Sequence, residues 1–306
     1  MIARIIRRLI LGLFTILAVY AVTFLLVISI PGNPLQQSER SLPREVEQAL
    51  RARYDMDNNW RYFTQFLTGA IQLDFGPSFT YNDWTCTQIV ASALPVSLLL
   101  GTLAMLLAVG IGVPLGALSA AYRYGWLDSI VTTIVLLIVS LPTFVVGSVF
   151  LLLFAVKWNW CPIGGWGSLS HLPLPALTLS LPFLAAIIRL TRASMLDVFG
   201  SDYIRTAVAK GLRPSTVIWK HAMKPAFLPV LSYLGPATAQ ALTGSFVVEK
   251  VFGVPGLGQH FVNAALNRDA GLVLGTTLVF STILVTLNLL VDVWYAWLDP
   301  RIAGAV

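Results

Sequence analysis

The chain has 306 residues, of which 57% are hydrophobic and only 11% are charged, and its mean hydropathy is +0.78. Because an ordinary soluble domain carries about 25% charged residues, this composition excludes most water-soluble folds and indicates a protein of the lipid bilayer. The net charge of +6 does not indicate nucleic-acid binding, because the basic residues stand between apolar runs and not on one polar face.

The first predicted element is an N-terminal membrane span. Arg4, Arg7 and Arg8 precede an uncharged stretch over residues 9–30. This stretch is longer than the apolar region of a secretory signal peptide, and no small-residue cleavage site follows it. At about 1.5 Å per residue it can cross the hydrocarbon core, so we predict an uncleaved transmembrane helix.

A polar external segment follows, up to about residue 92, and its patterns predict two short amphipathic helices on the outer face. The first begins after Leu42-Pro43 and contains Glu45, Val46, Ala49 and Leu50. The second has apolar residues at helical spacing, namely Trp60, Phe63, Phe66 and Leu67. We therefore treat residues 1–92 as a first region and residues 93–306 as a transmembrane core.

Five further segments are long, uncharged and mostly apolar, over residues 93–121, 129–156, 172–188, 225–248 and 270–291. They lack the two-residue alternation of barrel strands, so the predicted fold is an all-α membrane protein with six transmembrane helices. Prolines predict kinks in these spans at Pro95, Pro114, Pro142, Pro182, Pro229 and Pro236.

The distribution of basic residues predicts that both termini are cytoplasmic. With that orientation the inner side collects twelve of the 20 basic residues, namely Arg4, Arg7, Arg8, Arg123, Arg189, Arg192, Arg205, Lys210, Arg213, Lys220, Lys224 and Arg301. The two cysteines, Cys86 and Cys161, then fall on the external side, where we expect them to be unlinked. No Cys or His pattern has metal-ligand spacing, so no metal site is predicted.

The sequence points to an external source of energy for any active transport. The predicted spans contain no Lys, Arg, Glu or His, and only Asp292 lies near the end of one. Ion-coupled carriers usually need ionisable groups within the membrane, which disfavours a secondary transporter. The chain also lacks a GxxxxGK[ST] phosphate loop, so we expect it to hold no cofactor and a partner to supply the energy.

A cytoplasmic segment over residues 195–224 reads as helix, turn, helix. Ser201 or Asp202 can cap the first helix, and Pro214 would end it before Ser215 begins the second. One face of the first helix carries Tyr203, Ile204, Ala207, Val208 and Gly211. A solvated connector with incidental periodicity is the alternative interpretation.

This segment resembles the cytoplasmic loop of bacterial ABC-importer permeases. Residues 203–212 read YIRTAVAKGL, residues 221–226 read HAMKPA, and residues 228–230 read LPV. The general family pattern begins Glu-Ala-Ala, whereas this chain has Arg205-Thr206-Ala207, as is typical of the peptide and nickel branch. The similarity extends to PGNP at residues 31–34, LDFGPS at 73–78, and a stretch from Val247 to Asp269, and is greatest to the first permease subunit of oligopeptide importers.

The resemblance implies a type I ABC-importer permease bundle whose coupling helix contacts an ATPase, with Tyr203, Ile204, Arg205, Thr206, Ala207, Lys210, Gly211 and Leu212 at that contact. It also implies an external loop signature at Glu249, Gly253, Pro255, Gly256 and Gly258. The implied partners are a second permease, two ATPase subunits that hold ATP and Mg²⁺, and an external peptide-binding protein. Oligopeptide import across the bacterial inner membrane is the expected function, with dipeptide, glutathione or nickel import as alternatives.

A polar and small stripe in the fifth span is the candidate translocation path. It comprises Tyr233, Pro236, Gln240, Thr243 and Gly244 at three- and four-residue spacing. Ser140, Pro142 and Thr143 form a second candidate in the third span. Small and hydroxyl residues also pack membrane helices together, so lining and packing both stay open.

Two other classes of protein are less consistent with the sequence. An intramembrane enzyme would need a nucleophile and base within the bilayer, but His171, His221 and His260 fall at loops or span ends and no GxSxG is present. No catalytic residue is therefore predicted. A passive channel would require rings of charged or carbonyl groups and would not need the loop signature.

Overall fold

The computed structural model describes residues 2–29, 58–81 and 83–298. Within these ranges the chain is helical, and its only strand-like pairing is an isolated antiparallel bridge between Pro77 and Thr85. The prediction of an all-α fold is confirmed.

The helices in chain order are α1 (Ile2–Ser29), α2 (Asn59–Ile71), α3 (Cys86–Ala121), α4 (Trp126–Ser140), α5 (Thr143–Phe150), α6 (Pro173–Phe199), α7 (Asp202–Ala209), α8 (Pro214–Thr216), α9 (Met223–Ala226), α10 (Leu228–Thr243), α11 (Phe246–Phe252), α12 (Leu257–Leu266) and α13 (Ala270–Leu298). A π-helix over Leu151–Lys157 extends α5, a second over Val217–Ala222 joins α8 to α9, and a 3-10 turn over Leu169–His171 precedes α6.

In the described part of the chain, four helices are long and apolar enough to cross a membrane: α1, α3, α6 and α13. Helices α4 and α5 with its π-helical extension pass the same test as a pair, although the pair is bent by 107°. The remaining predicted span, residues 225–248, is divided, because α10 has only 16 residues and α11 begins after a break at Gly244 and Ser245. The count of six spans and the cytoplasmic termini stay predictions.

The prolines differ in their effect on the helices. Pro142 lies at the bend between α4 and α5, so the predicted kink is confirmed there. Helix α3 runs through Pro95 and Pro114 without a break, and Pro182 and Pro236 lie inside α6 and α10. Pro229 lies in the first turn of α10, where its missing N–H costs no helical hydrogen bond.

The chain folds into two compact units, one formed by residues 1–97 with 255–306 and the other by residues 98–254. In the first unit, α1 packs along α13 and contacts α2 through an aromatic cluster. The Tyr20 hydroxyl donates to the backbone carbonyl of Phe63 at 2.8 Å. The ring of Phe24 packs edge-on against the ring of Phe63. Helix α2 confirms the second predicted amphipathic helix, with Asn58 as its N-cap, whereas its position on the outer face stays a prediction. The first one lies outside the described residues.

In the second unit, α3 and α6 approach closely at two glycines. A Cβ atom at Gly112 would lie 2.9 Å from the Ile187 side chain, and one at Gly116 would lie 2.7 Å from the carbonyl oxygen of Ile188. Glycines four residues apart let membrane helices pack backbone to backbone. The two helices are therefore held in a fixed register.

Candidate functional site

The predicted coupling helix is α7, and it is seated on the body of its own chain. Ile204 and Ala207 are 4% and 6% exposed and pack in a buried cluster with Ala117 and Ala120 of α3 and Met195 of α6. Ser201 occupies the N-cap position, but its hydroxyl donates to the carbonyl of Val198 and does not cap the helix.

The opposite face of α7 is exposed. Tyr203 and Val208, placed on the same apolar stripe by the sequence, point away from the cluster that holds Ile204 and Ala207. The other exposed members of the predicted contact are Arg205, Thr206, Lys210, Gly211 and Leu212. The stripe is thus divided, with one part packed on its own chain and the other accessible to a second protein.

Gly211 ends α7 in a left-handed conformation, with φ of +75°. The N–H of Gly211 donates to the carbonyl of Val208, and the N–H of Leu212 donates to the carbonyl of Ala207. This pair of bonds is a Schellman motif, which favours glycine at the left-handed position. The prediction that Pro214 ends the helix is wrong, because the turn at Gly211 ends it and Pro214 begins α8.

The exposed surface of this segment is basic. Between residues 201 and 224, Arg205, Lys210, Arg213, Lys220 and Lys224 are exposed, against a single acid at Asp202. Arg205 lies 3.4 Å from Asp202, but both side chains are largely in solvent, so this pair contributes little stability. The surface therefore presents a positive field to any partner.

An ion pair joins α4 to α6, with a buried carboxylate and a half-buried guanidinium, and the sequence patterns do not predict it. Asp128 in the first turn of α4 is 5% exposed and accepts from Arg192 of α6 at 2.7 Å and 2.8 Å. The Ser119 hydroxyl of α3 and the N–H of Tyr124 donate to the same carboxylate, at 2.5 Å and 3.1 Å. Asp128 is the only acid between Asp83 and Asp197, and this isolation is the signal that could have marked it.

Four candidate path residues lie along one face of α10, and the fifth, Gly244, follows the helix as its C-cap. Pro236, Gln240 and Gly244 are exposed, and Tyr233 and Thr243 are half-buried. The opposite face is buried and includes Gly235 and Leu242, and Ala237 and Ala241, which lie beside the path residues, are buried as well. A polar face suits water or another protein better than lipid.

The second path candidate lies at the bend between α4 and α5. Ser140 is the last residue of α4, Leu141 and Pro142 are extended, and Thr143 begins α5. Ser140 and Pro142 are exposed, and Thr143 is half-buried. The Ser140 hydroxyl donates to the carbonyl of Leu136, which satisfies it within its own helix.

The external loop signature has a structural explanation at most of its positions. Glu249 is fully buried and accepts from the Ser245 hydroxyl at 2.5 Å, while Gly253 ends α11 in the left-handed conformation with φ of +61°. Pro255 is exposed, Gly256 precedes α12 as its N-cap, and Gly258 is buried in its first turn. The glycines therefore shape two helix ends.

A third buried carboxylate, that of Asp269, joins two motifs of the first unit. Asp269 is fully buried and accepts from the Ser78 hydroxyl and the N–H groups of Phe79 and Thr80. It also accepts from the N–H of Leu272 in the first turn of α13. Asp269, the residue before the last span, is thus hydrogen-bonded to Ser78 at the end of the stretch 73–78, although the two are far apart in sequence.

No group of His, Cys, Asp and Glu in the described residues could hold a metal ion. Cys86 and Cys161 are both free thiols, the first buried and the second half-buried.

Comparison with known proteins places most of this site within one family. Residues 112–304 match the family described as binding-protein-dependent transport system inner membrane component. The candidate coupling, path and external loop residues all lie inside this range.

Individual relatives match nearly the whole chain. The oligopeptide transport system permease protein OppB of Haemophilus influenzae is 42% identical over 299 residues, which is 97% of both proteins. Its counterpart in Salmonella typhimurium is 43% identical over 303 residues, 97% of this chain and 98% of the relative. The dipeptide transport system permease protein DppB of Bacillus subtilis is 40% identical over 289 residues, 94% of both.

Proposed function

Because the chain belongs to the binding-protein-dependent transport system inner membrane component family, we propose that it is a pore-forming permease subunit of an ATP-driven peptide importer. The protein resides in the bacterial inner membrane, and its apolar helices are long enough to cross it. The single observation that carries this function is the similarity to peptide-transport permeases over almost the full length of the chain.

The proposed complex contains a second homologous permease, two ATPase subunits and an external peptide-binding protein. ATP and Mg²⁺ would be held by the ATPase subunits, since this sequence has no phosphate loop. The exposed basic surface of residues 201–224 supports a contact with an ATPase, because α7, which belongs to this segment, is held on its other face by α3 and α6. The ATPase can shift this permease between inward- and outward-facing forms only if its contact with the permease is more favourable in one form than in the other.

The polar face of α10 is the proposed contribution of this chain to the pore. Gln240 and Pro236 are exposed in the isolated chain although the helix lies in an apolar segment. A peptide path between two permeases would give this face an aqueous or protein environment in place of lipid.

Oligopeptides are the proposed substrate, and dipeptides are the second candidate. The relatives from Haemophilus influenzae and Salmonella typhimurium are named as oligopeptide permeases, whereas the Bacillus subtilis relative is named as a dipeptide permease. The candidate path residues carry no charge, which is consistent with a pore that accepts varied side chains.

The first experiment is purification of the tagged chain from its native membrane in a mild detergent, with identification of every protein that accompanies it. We expect one or two ATPases with a phosphate-binding loop and a second multi-span permease. Isolation of the chain alone in every detergent tested would contradict the proposal.

The purified complex is then reconstituted in liposomes with its binding protein, and uptake of a labelled pentapeptide is measured with ATP and with a non-hydrolysable analogue. We expect uptake with ATP only. Unlabelled dipeptide and pentapeptide are added as competitors. Stronger competition by the dipeptide would replace the oligopeptide assignment with the second candidate.

A further inference from the structure

Three helices meet at the carboxylate of Asp128. Ser119 of α3 and Arg192 of α6 both bond to it, and Asp128 itself lies in the first turn of α4. The guanidinium donates through Nε to Oδ1 and through Nη2 to Oδ2, so the contact is bidentate. Such a fork fixes orientation as well as distance, which a single ionic contact does not.

Two of these helices also hold the coupling helix. Ala117 and Ala120 lie on either side of Ser119 in α3, and Met195 lies one turn beyond Arg192 in α6. All three belong to the buried cluster that contains Ile204 and Ala207 of α7. Because Gly116 brings the α3 backbone against that of α6, displacement of α7 must move both helices together.

Helix α4 leads from this junction to the bend at Pro142. Asp128, Val131 and Val135 form its buried face, and it packs against α6 along that face. At its far end lie Ser140, Pro142 and Thr143, the second candidate for the translocation path. The ion pair therefore links α6, which with α3 holds α7, to α4, which extends to the bend.

Given the proposed function, on which this step rests, we infer that Asp128 and Arg192 are positioning residues that transmit the movement of the coupling helix to α4. The pair holds the start of α4 in register with α3 and α6. When an ATPase shifts α7, the bend at Pro142 moves with it. Loss of the bidentate geometry uncouples the bend at Pro142 from α7, while the ATPase contact on the exposed face of α7 stays intact.

The test measures peptide molecules taken up per ATP hydrolysed in the complete complex reconstituted in liposomes. The main variant is Arg192→Lys, which keeps the charge and removes the fork. The matched control is Arg189→Lys, since Arg189 is exposed on the same helix. Complex yield is measured for each variant, so that reduced assembly is distinguished from reduced coupling.

We expect Arg192→Lys to lower uptake per ATP by about two- to thirtyfold, the range that residues within a coupling network produce, while ATP hydrolysis continues. Arg189→Lys should leave the ratio unchanged. An unchanged ratio in Arg192→Lys, with uptake and hydrolysis reduced in proportion or only the yield reduced, would overturn the inference and leave the pair a purely structural role.

A milder variant keeps the test decisive if Arg192→Lys does not assemble. Ser119→Ala removes one hydrogen bond to Asp128 and leaves the ion pair, so uptake per ATP should fall by a smaller factor. A ratio equal to that of the unmodified complex would count against the inference. Failure of the unmodified complex to show any ATP-dependent uptake would instead contradict the proposed function.

Discussion

The side-chain hydroxyl of Ser78 lies 2.5 Å from the carboxylate of Asp269, although 191 positions separate the two residues. The same carboxylate accepts from the N–H groups of Phe79, Thr80 and Leu272. Four donors thus compensate the burial of this carboxyl group, and the loop at residues 78–80 is hydrogen-bonded to the first turn of α13.

Replacement of Asp269 by asparagine should destabilise the protein by about 1–3 kcal/mol, because the new amide group faces N–H donors and leaves buried groups unpaired. The thermal unfolding temperature of the detergent-solubilised protein measures this effect. Asp83→Asn, at an exposed position, is the control and should unfold at the original temperature. Equal unfolding temperatures for both variants would show that the Asp269 contacts are dispensable.

At Gly211 the ability of the replacement to adopt a left-handed backbone conformation should matter more than its size. With φ of +75° and no neighbouring atom within 4 Å of the position that a Cβ would take, alanine meets strain and not a steric clash. The left-handed conformation costs an ordinary residue about 1–2 kcal/mol, whereas asparagine tolerates it better. We expect Gly211→Ala to lower ATP-dependent uptake several-fold and Gly211→Asn to retain most of it, at equal protein levels. Normal uptake by both variants would mean that the left-handed turn is not required.

Sequence patterns predicted the helices that depend on their own residues, but did not predict features that depend on contacts with residues far away in the chain. The spacing of Trp60, Phe63 and Phe66 was sufficient to predict α2, because amphipathic periodicity is a property of one segment. The same reasoning could not separate Ile204, which packs on its own chain, from Tyr203, which is exposed.

Tertiary pairing and bend angles could not be predicted from those patterns. Asp128 and Arg192 are 64 positions apart, and nothing near either residue indicates that they bond. Pro142 predicted a kink, but the 107° angle depends on how α4 and α5 each pack on α6. Helix α3 likewise continues through Pro95 and Pro114, which the helix-breaking tendency of proline would not predict.

Cysteine substitution along α10 can separate its exposed face from its buried face. We expect a water-soluble thiol reagent to label Gln240→Cys and not Ala237→Cys, which is 1% exposed in the wild-type chain. The background is Cys161→Ser, because that native thiol is half-buried and Cys86 is buried. Labelling of Gln240→Cys in the assembled complex supports pore lining. Protection in the complex with labelling in the isolated chain would favour packing against the second permease.

The native thiols should differ in reactivity. Cys86 is buried and its thiol donates to the carbonyl of Pro77, whereas Cys161 is half-buried. We expect one equivalent of thiol to react in the folded protein, two to react in denaturing detergent, and oxidation to leave mobility on a non-reducing gel unchanged. A mobility shift that reductant reverses would contradict the free state of both cysteines.

The bend at Pro142 has a consequence for the lipid around the protein. Helix α4 and the helical stretch Thr143–Lys157 have 15 residues each, or about 22 Å of helix. Two such limbs that meet at a 107° bend extend about 27 Å along one direction when both tilt equally, and the extended residues Leu141 and Pro142 between them add a few ångströms. That extent is close to the ~30 Å hydrocarbon thickness of a bilayer, so the segment can cross it only with both limbs strongly tilted and should occupy a wider area of membrane than a straight helix.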